Sequence, residues 1–128
     1  MRVLLDTHTF LWGIAEPTKL SATAYKIMED GDNEIMVSAA SAWEIAIKAR
    51  LGKLRLPTRP ELFVSEQLLK HYFTSLPISF SHALHVFSLP ALHRDPFDRL
   101  LVSQSILEQL PIVTRDKHIK QYRVKTIW

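Results

Sequence analysis

Five acidic side chains carry the chemical interest of this 128-residue chain: Asp6, Glu44, Asp95, Asp98 and Asp116. Two of them stand in "HRDPFDRLLVSQS", residues 93–105, three positions apart around Pro96. Each acid has an ordinary local use. Asp is a favoured N-cap, Pro suits the first helical position, and an acid in the first turn complements the helix dipole. Asp6 would cap the helix "THTFLWGIA" and Asp116 the turn "KHIKQY". Ser41-x-x-Glu44 has the form of a capping box, and Glu44 with Lys48 makes a favourable i,i+4 pair. If the five share a site, however, they must repel. Two carboxylates about 5 Å apart at an effective dielectric near 20 cost roughly 3 kcal/mol. A cluster of this kind either raises its own proton affinity or takes up a cation. Oxygen ligands without Cys suit Mg²⁺ or Mn²⁺, ions that perform in-line phosphoryl chemistry.

The elements that would position these acids alternate. "MRVLLD" reads as a buried strand ending at Asp6, followed by a short helix. "LSATAYKIMEDGDNE" is a helix capped by Ser21 and stopped near Gly31. "EIMVSAASAWEIAIKARLGK" is a strand, a Ser-rich junction and a helix ending at Gly52. A loop and a helix starting near Pro60 follow. "SLPIS" is then a short strand and "FSHALHVFSL" a short helix. The "DPFD" segment opens a helix running to about Leu110. "PIVTRD" is a strand ending at Asp116, and "YRVKTIW" holds a last strand. Such alternation implies parallel βαβ units: one α/β domain with a doubly wound parallel sheet sandwiched by helices. Ligands of these sheets bind beyond the carboxyl ends of the strands. All five acids map to that rim. Separately each capping explanation suffices; together they require five local coincidences on one edge.

Charge is unevenly spread. The formal net charge is +3, yet residues 1–34 hold an excess of acids. Basic residues gather in two stretches, one with Lys48, Arg50, Lys53, Arg55 and Arg59, the other with Arg115, Lys117, Lys120, Arg123 and Lys125. Such patches attract polyanions, although most are plain solvated faces. Beside an acidic metal pocket they suit a nuclease: Lys48, Arg50, Arg94, Arg99 and Arg115 are candidate contacts to the phosphates of its nucleic-acid substrate. For Arg94 and Arg99, pairing with nearby carboxylates is the expectation favoured over phosphate contact. The histidines are expected to be satisfied or solvated, and the tryptophans core or partner-facing. With no cysteine there is neither a disulfide frame nor a thiolate metal site. No apolar run has the length of a membrane span, and the N-terminus lacks a signal-peptide layout, so a cytoplasmic location is expected.

In the order "LLDTHTFLW", "VSAASAWEIAIKARLGKL", "HRDPFDRLLVSQS" and "LPIVTRDKHIKQYRVKTIW", the chain resembles the PIN-domain ribonucleases, specifically the VapC-type toxins of bacterial type II toxin–antitoxin pairs. The resemblance spans nearly the whole of residues 1–128 as a single PIN-like domain and is weakest through 55–80. It implies that Asp6, Glu44, Asp98 and Asp116 are catalytic acids and metal ligands, the last at the family's most variable position. Thr114 matches a small hydroxyl residue that supports the site, and Asp95 an additional supporting acid. It further implies RNA cleavage by water activated on Mg²⁺ or Mn²⁺, a VapB-like antitoxin whose C-terminal segment blocks the pocket, and a homodimer. The rival readings are a housekeeping PIN nuclease without an antitoxin and a catalytically silent PIN-fold binding module. A phospho-acceptor receiver domain fits poorly, because one acid rather than a pair follows the first strand and "SLPIS" offers no acceptor.

Overall fold

In the computed structural model, which describes residues 1–128, five parallel strands form one sheet: β1 (Arg2–Leu5), β2 (Glu34–Ser38), β3 (Thr74–Leu76), β4 (Ile112–Val113) and β5 (Thr126–Ile127). Their spatial order is β3-β2-β1-β4-β5. The chain winds outward from β1 through β2 to β3, then returns to add β4 and β5 on the other side. The order therefore reverses between β1 and β4, where Leu4 and Leu5 pair with Ile112 and Val113. A crevice at such a reversal is where ligands of open parallel sheets bind.

Six helices cover the sheet: α1 (Thr7–Ala15), α2 (Ala22–Glu29), α3 (Ala39–Arg50), α4 (Pro60–His71), α5 (Phe80–His85) and α6 (Pro96–Glu108). The interiors of the central strands β1, β2 and β4 are apolar on both faces because both faces are covered. Val3, Leu5, Ile35, Val37 and Val113 point to one side, where they meet Phe10, Ala24 and Ile45. Leu4, Met36 and Ile112 point to the other, where they meet Leu101, Val102, Ile119 and Tyr122. The period-2 alternation of side chains along a strand makes this division. No helix is long and apolar enough to cross a membrane.

Helix starts follow the sequence signals with one correction. Asp6, Ser21 and Asp95 cap α1, α2 and α6, and Pro60 opens α4. The Ser41–Glu44 capping box does not form. Ser38 is the cap of α3, accepting from the Ala40 amide at 2.9 Å, so the helix begins directly after β2. Ser41 and Glu44 consequently lie inside the helix, both buried. The strand placed at "SLPIS" sits earlier, over Thr74–Leu76. β4 is also shorter than its apolar pattern suggests, ending at Val113. Beyond it the Thr114 side chain accepts the Asp116 amide at 2.9 Å and turns the chain away from the ladder.

Candidate active site

The reversal of strand order brings Asp6 and the Thr114–Asp116 segment side by side. Asp6 follows β1 and is 5% exposed. Its Oδ1 accepts from the Thr9 amide at 2.7 Å, and its Oδ2 accepts from the Thr114 hydroxyl. Thr114 is fully buried. Because its hydroxyl donates to Asp6 and accepts from the Asp116 amide, one side chain sets the relation of two acids. Asp116 in turn accepts from the His118 and Ile119 amides, at 2.7 and 3.3 Å, capping the turn that follows.

Glu44 and Asp98 come from the helices beside this edge. Glu44 is 4% exposed, and Lys48 donates to its Oε2 at 2.5 Å. Asp98 lies in the first turn of α6, below Asp95, whose Oδ1 accepts from the Phe97 and Asp98 amides at 2.9 and 3.1 Å. Gln104 ties the two helices together. Fully buried, it accepts from Ser38 at 2.5 Å and donates to the Pro77 carbonyl at 3.1 Å. It therefore links the start of α3 to the middle of α6 and sets Glu44 relative to Asp98.

Electrostatics shows that the five acids share one locality. The Asp98 carboxyl is pushed up from 3.8 to about 8, by burial first and then by the charges of Asp95, Asp116, Glu44 and Asp6. Its hydrogen-bond partner is His93, whose Nε2 lies 3.3 Å from Asp98 Oδ2. That contact has the spacing of an ion pair, but it is not one near neutrality. His93 is pushed below 6.5 by its own burial and by His118, stacked on it at 5.4 Å. An acid that keeps its proton beside an imidazole that lacks one makes an uncharged pair. The Tyr122 hydroxyl, 2.8 Å from His93 Nδ1, holds the ring in place.

As they stand, the acids do not form a ready set of three ligands around one point. Each is engaged by a protein donor, or engages one. The donor set nevertheless fits a hard divalent cation. It consists of carboxylate oxygens, two of its members are nearly inaccessible, and burial together with their mutual repulsion holds a proton on Asp98 at neutral pH.

The cationic candidates separate into different roles. Lys48 is engaged by Glu44. Arg99 turns inward, donating to the Pro90 and Val86 carbonyls at 2.8 and 3.3 Å and to the Tyr122 hydroxyl at 2.9 Å. It braces the loop before α6 and pairs with no carboxylate, contrary to the sequence expectation. Arg50 lies at the end of α3, in a separate groove with Arg55 and Arg59. Arg94 is exposed and makes no ion pair, whereas Arg115 lies over the ring of Trp12 at 4.5 Å. Sequence reasoning missed His93, Tyr122 and Gln104 as organisers of the site. The "LLVSQS" run held a hint, since Gln104 is the large polar side chain within a helical stretch that is buried from Leu101 to Ser105.

The chain and its fold have known counterparts. The PIN domain family model matches residues 3–125. Ribonuclease VapC22 of Mycobacterium tuberculosis is 35% identical over 130 residues, covering 98% of each chain. Ribonuclease VapC16 of the same organism is 41% identical over 59 residues, 46% of this chain and 42% of that one. Among solved structures, VapBC2 from Rickettsia felis, bound to a DNA fragment from its promoter, aligns with a TM-score of 0.72 at 16% identity. That alignment covers 99% of this chain and 98% of that one. FitAcB from Neisseria gonorrhoeae aligns at 0.62 and 19% identity, over 100% and 97%. At such identities the structural matches speak for the fold. With the family match and the full-length relative, they establish that the chain belongs to the PIN-domain family.

Proposed function

We propose that the chain is an endoribonuclease of the VapC type, the toxin of a toxin–antitoxin pair, using a divalent cation to hydrolyse RNA phosphodiesters. The observation that carries the site assignment is the convergence of Asp6, Glu44, Asp95 and Asp116 on Asp98, from segments scattered between residues 6 and 116. A fold alone does not require that concentration of charge, and its electrostatic cost is large unless a cation offsets it.

Asp6, Glu44, Asp98 and Asp116 are the residues that would hold Mg²⁺ or Mn²⁺. When bound, the ion supplies an activated water and neutralises developing phosphate charge. The protein's part is positioning. Thr114 fixes the Asp6 rotamer and the Asp116 backbone, Asp95 holds the first turn of α6, and Gln104 holds α6 against α3. Asp98 must release its proton before it can act as a carboxylate ligand, so loading is favoured as pH rises. Lys48 gives the buried Glu44 carboxylate a cationic partner. The partners that accompany this reading are RNA as substrate, a VapB-like antitoxin and a second copy of the chain.

The test is cleavage of RNA by purified protein supplied with Mg²⁺ or Mn²⁺, compared with Asp98→Asn. Cation-dependent cleavage lost in the variant supports the assignment. No cleavage by the wild type, with equal harmlessness of both proteins when expressed in cells, overturns it. Co-purification with the product of a short gene immediately upstream would support the antitoxin pairing. A nuclease active and harmless without any such partner would point to the housekeeping reading.

A further inference from the structure

A cleft of about 300 Å³ joins Asp6 and Asp116 to Trp12, Arg115 and Lys117. Arg115 is exposed and stands next to Asp116 in sequence, yet it takes part in none of the chain's ion pairs. Both neighbouring carboxylates already accept from other donors: Asp6 from Thr9 and Thr114, Asp116 from His118 and Ile119. The guanidinium rests instead against the Trp12 indole, 4.5 Å from the ring centre. A cation on an aromatic face is held by the ring quadrupole while the edges of its plane remain free to donate. Trp12 is itself braced, edge-on by Trp128 at 6.2 Å and by His8 at 5.6 Å. On the α6 side of the acids the corresponding arginine, Arg99, is turned into the protein. Arg94, on that side, is exposed and unpaired, but of the two it is Arg115 that is held on an aromatic face beside Asp116.

We infer that this cleft is a subsite for the RNA phosphate adjacent to the one cleaved, with Arg115 as its clamp and Trp12 as the positioning residue that presents the guanidinium. The inference rests on the ribonuclease reading and deepens it. A forked guanidinium suits the oxygens of a phosphodiester, and its fixed place beside Asp6 and Asp116 gives the bound strand a direction across the site. Trp12 acts through Arg115, so it contributes to phosphate binding without carrying charge.

Equilibrium binding of a short, labelled, single-stranded RNA with hydrolysis-resistant phosphorothioate linkages, followed by anisotropy across a KCl series in Mg²⁺, tests this. On a single strand, every phosphate that the protein neutralises contributes about 0.7 to the slope of log K against log salt. Arg115→Ala is expected to show a slope smaller by that amount, and Arg115→Lys to keep most of the slope while binding more weakly. Trp12→Leu changes no charge, yet it is expected to lower the slope in the same direction and weaken binding about threefold. Trp12→Phe, which retains an aromatic face and keeps the comparison available if Trp12→Leu is unstable, should lie close to wild type. A wild-type slope in Arg115→Ala overturns the subsite. A lowered slope in Arg115→Ala with wild-type slopes in both folded Trp12 variants overturns the positioning role. A wild-type protein that binds no RNA overturns the ribonuclease reading together with this one, and is thereby distinguishable from either.

Discussion

Replacing Asp98 by Asn should stabilise the metal-free protein at neutral pH, although it removes a proposed catalytic group. The carboxyl ordinarily titrates at 3.8 and in the fold near 8. Between those values the unfolded chain has lost this proton while the native chain keeps it. The native state then binds more protons, so its stability falls as pH rises through the window. From about pH 5 to 7.5 the full shift corresponds to roughly 3 kcal/mol, at 1.36 kcal/mol per unit. The Asp98 side chain is 18% exposed, and solvent screening reduces the figure to about 2 kcal/mol. At roughly 3–5 °C per kcal/mol for a domain of this size, wild type should lose about 6–10 °C more than Asp98→Asn over that range. Thermal unfolding in EDTA at stepped pH measures the difference. Saturating Mg²⁺ should reverse the ranking at the alkaline end, because a ligand at about 100 times its Kd adds some 2.7 kcal/mol to whichever protein binds it. Parallel curves for the two proteins in EDTA would refute the argument, since they would mean that neither burial nor the four neighbouring acids raises the Asp98 carboxyl.

Three other substitutions probe the remaining parts. Glu44→Gln should abolish RNA cleavage while circular dichroism and thermal unfolding report an intact fold, because Glu44 lies inside α3 and does not serve as a cap. Asp95→Asn should retain more cleavage and cation affinity than Asp98→Asn, measured by titrating activity with Mg²⁺. Asn caps a helix as well as Asp does, and equal losses would make Asp95 a direct ligand. Thr114→Val keeps the shape but strips a hydroxyl that serves both Asp6 and Asp116. Unfolding in denaturant should show a loss of about 1–3 kcal/mol, and isothermal titration a cation affinity lowered about 10–100-fold.

Much of the architecture was legible because its causes are local. The apolar run of β1, the alternating order of strands and helices, and the caps Asp6, Ser21 and Asp95 depend on residues within a few positions of one another. Rim placement of the acids followed from that order. Local patterns misled where a strand met a helix or a distant residue intervened. Ser38, not Ser41, caps α3, because a buried strand can pass directly into a helix when its final serine serves as the cap. The end of β4 depends on Thr114 turning back to Asp6, 108 residues away.

By itself, then, the sequence determined which acids could meet and on which edge of the sheet, since periodicity and capping are properties of neighbouring residues. Only the tertiary structure decided how they are used. Gln104 reaches Ser38 across 66 residues, and His93 lies against Asp98 with Tyr122 behind it. Lys48 is engaged by Glu44, Arg99 is turned inward, and Arg115 is left on the Trp12 ring with its donors free. These outcomes depend on packing between segments distant in the chain, which no local pattern encodes. Packing also desolvates Asp98 beside four other carboxylates and so makes an ordinary helix-opening acid into one that keeps its proton at neutral pH.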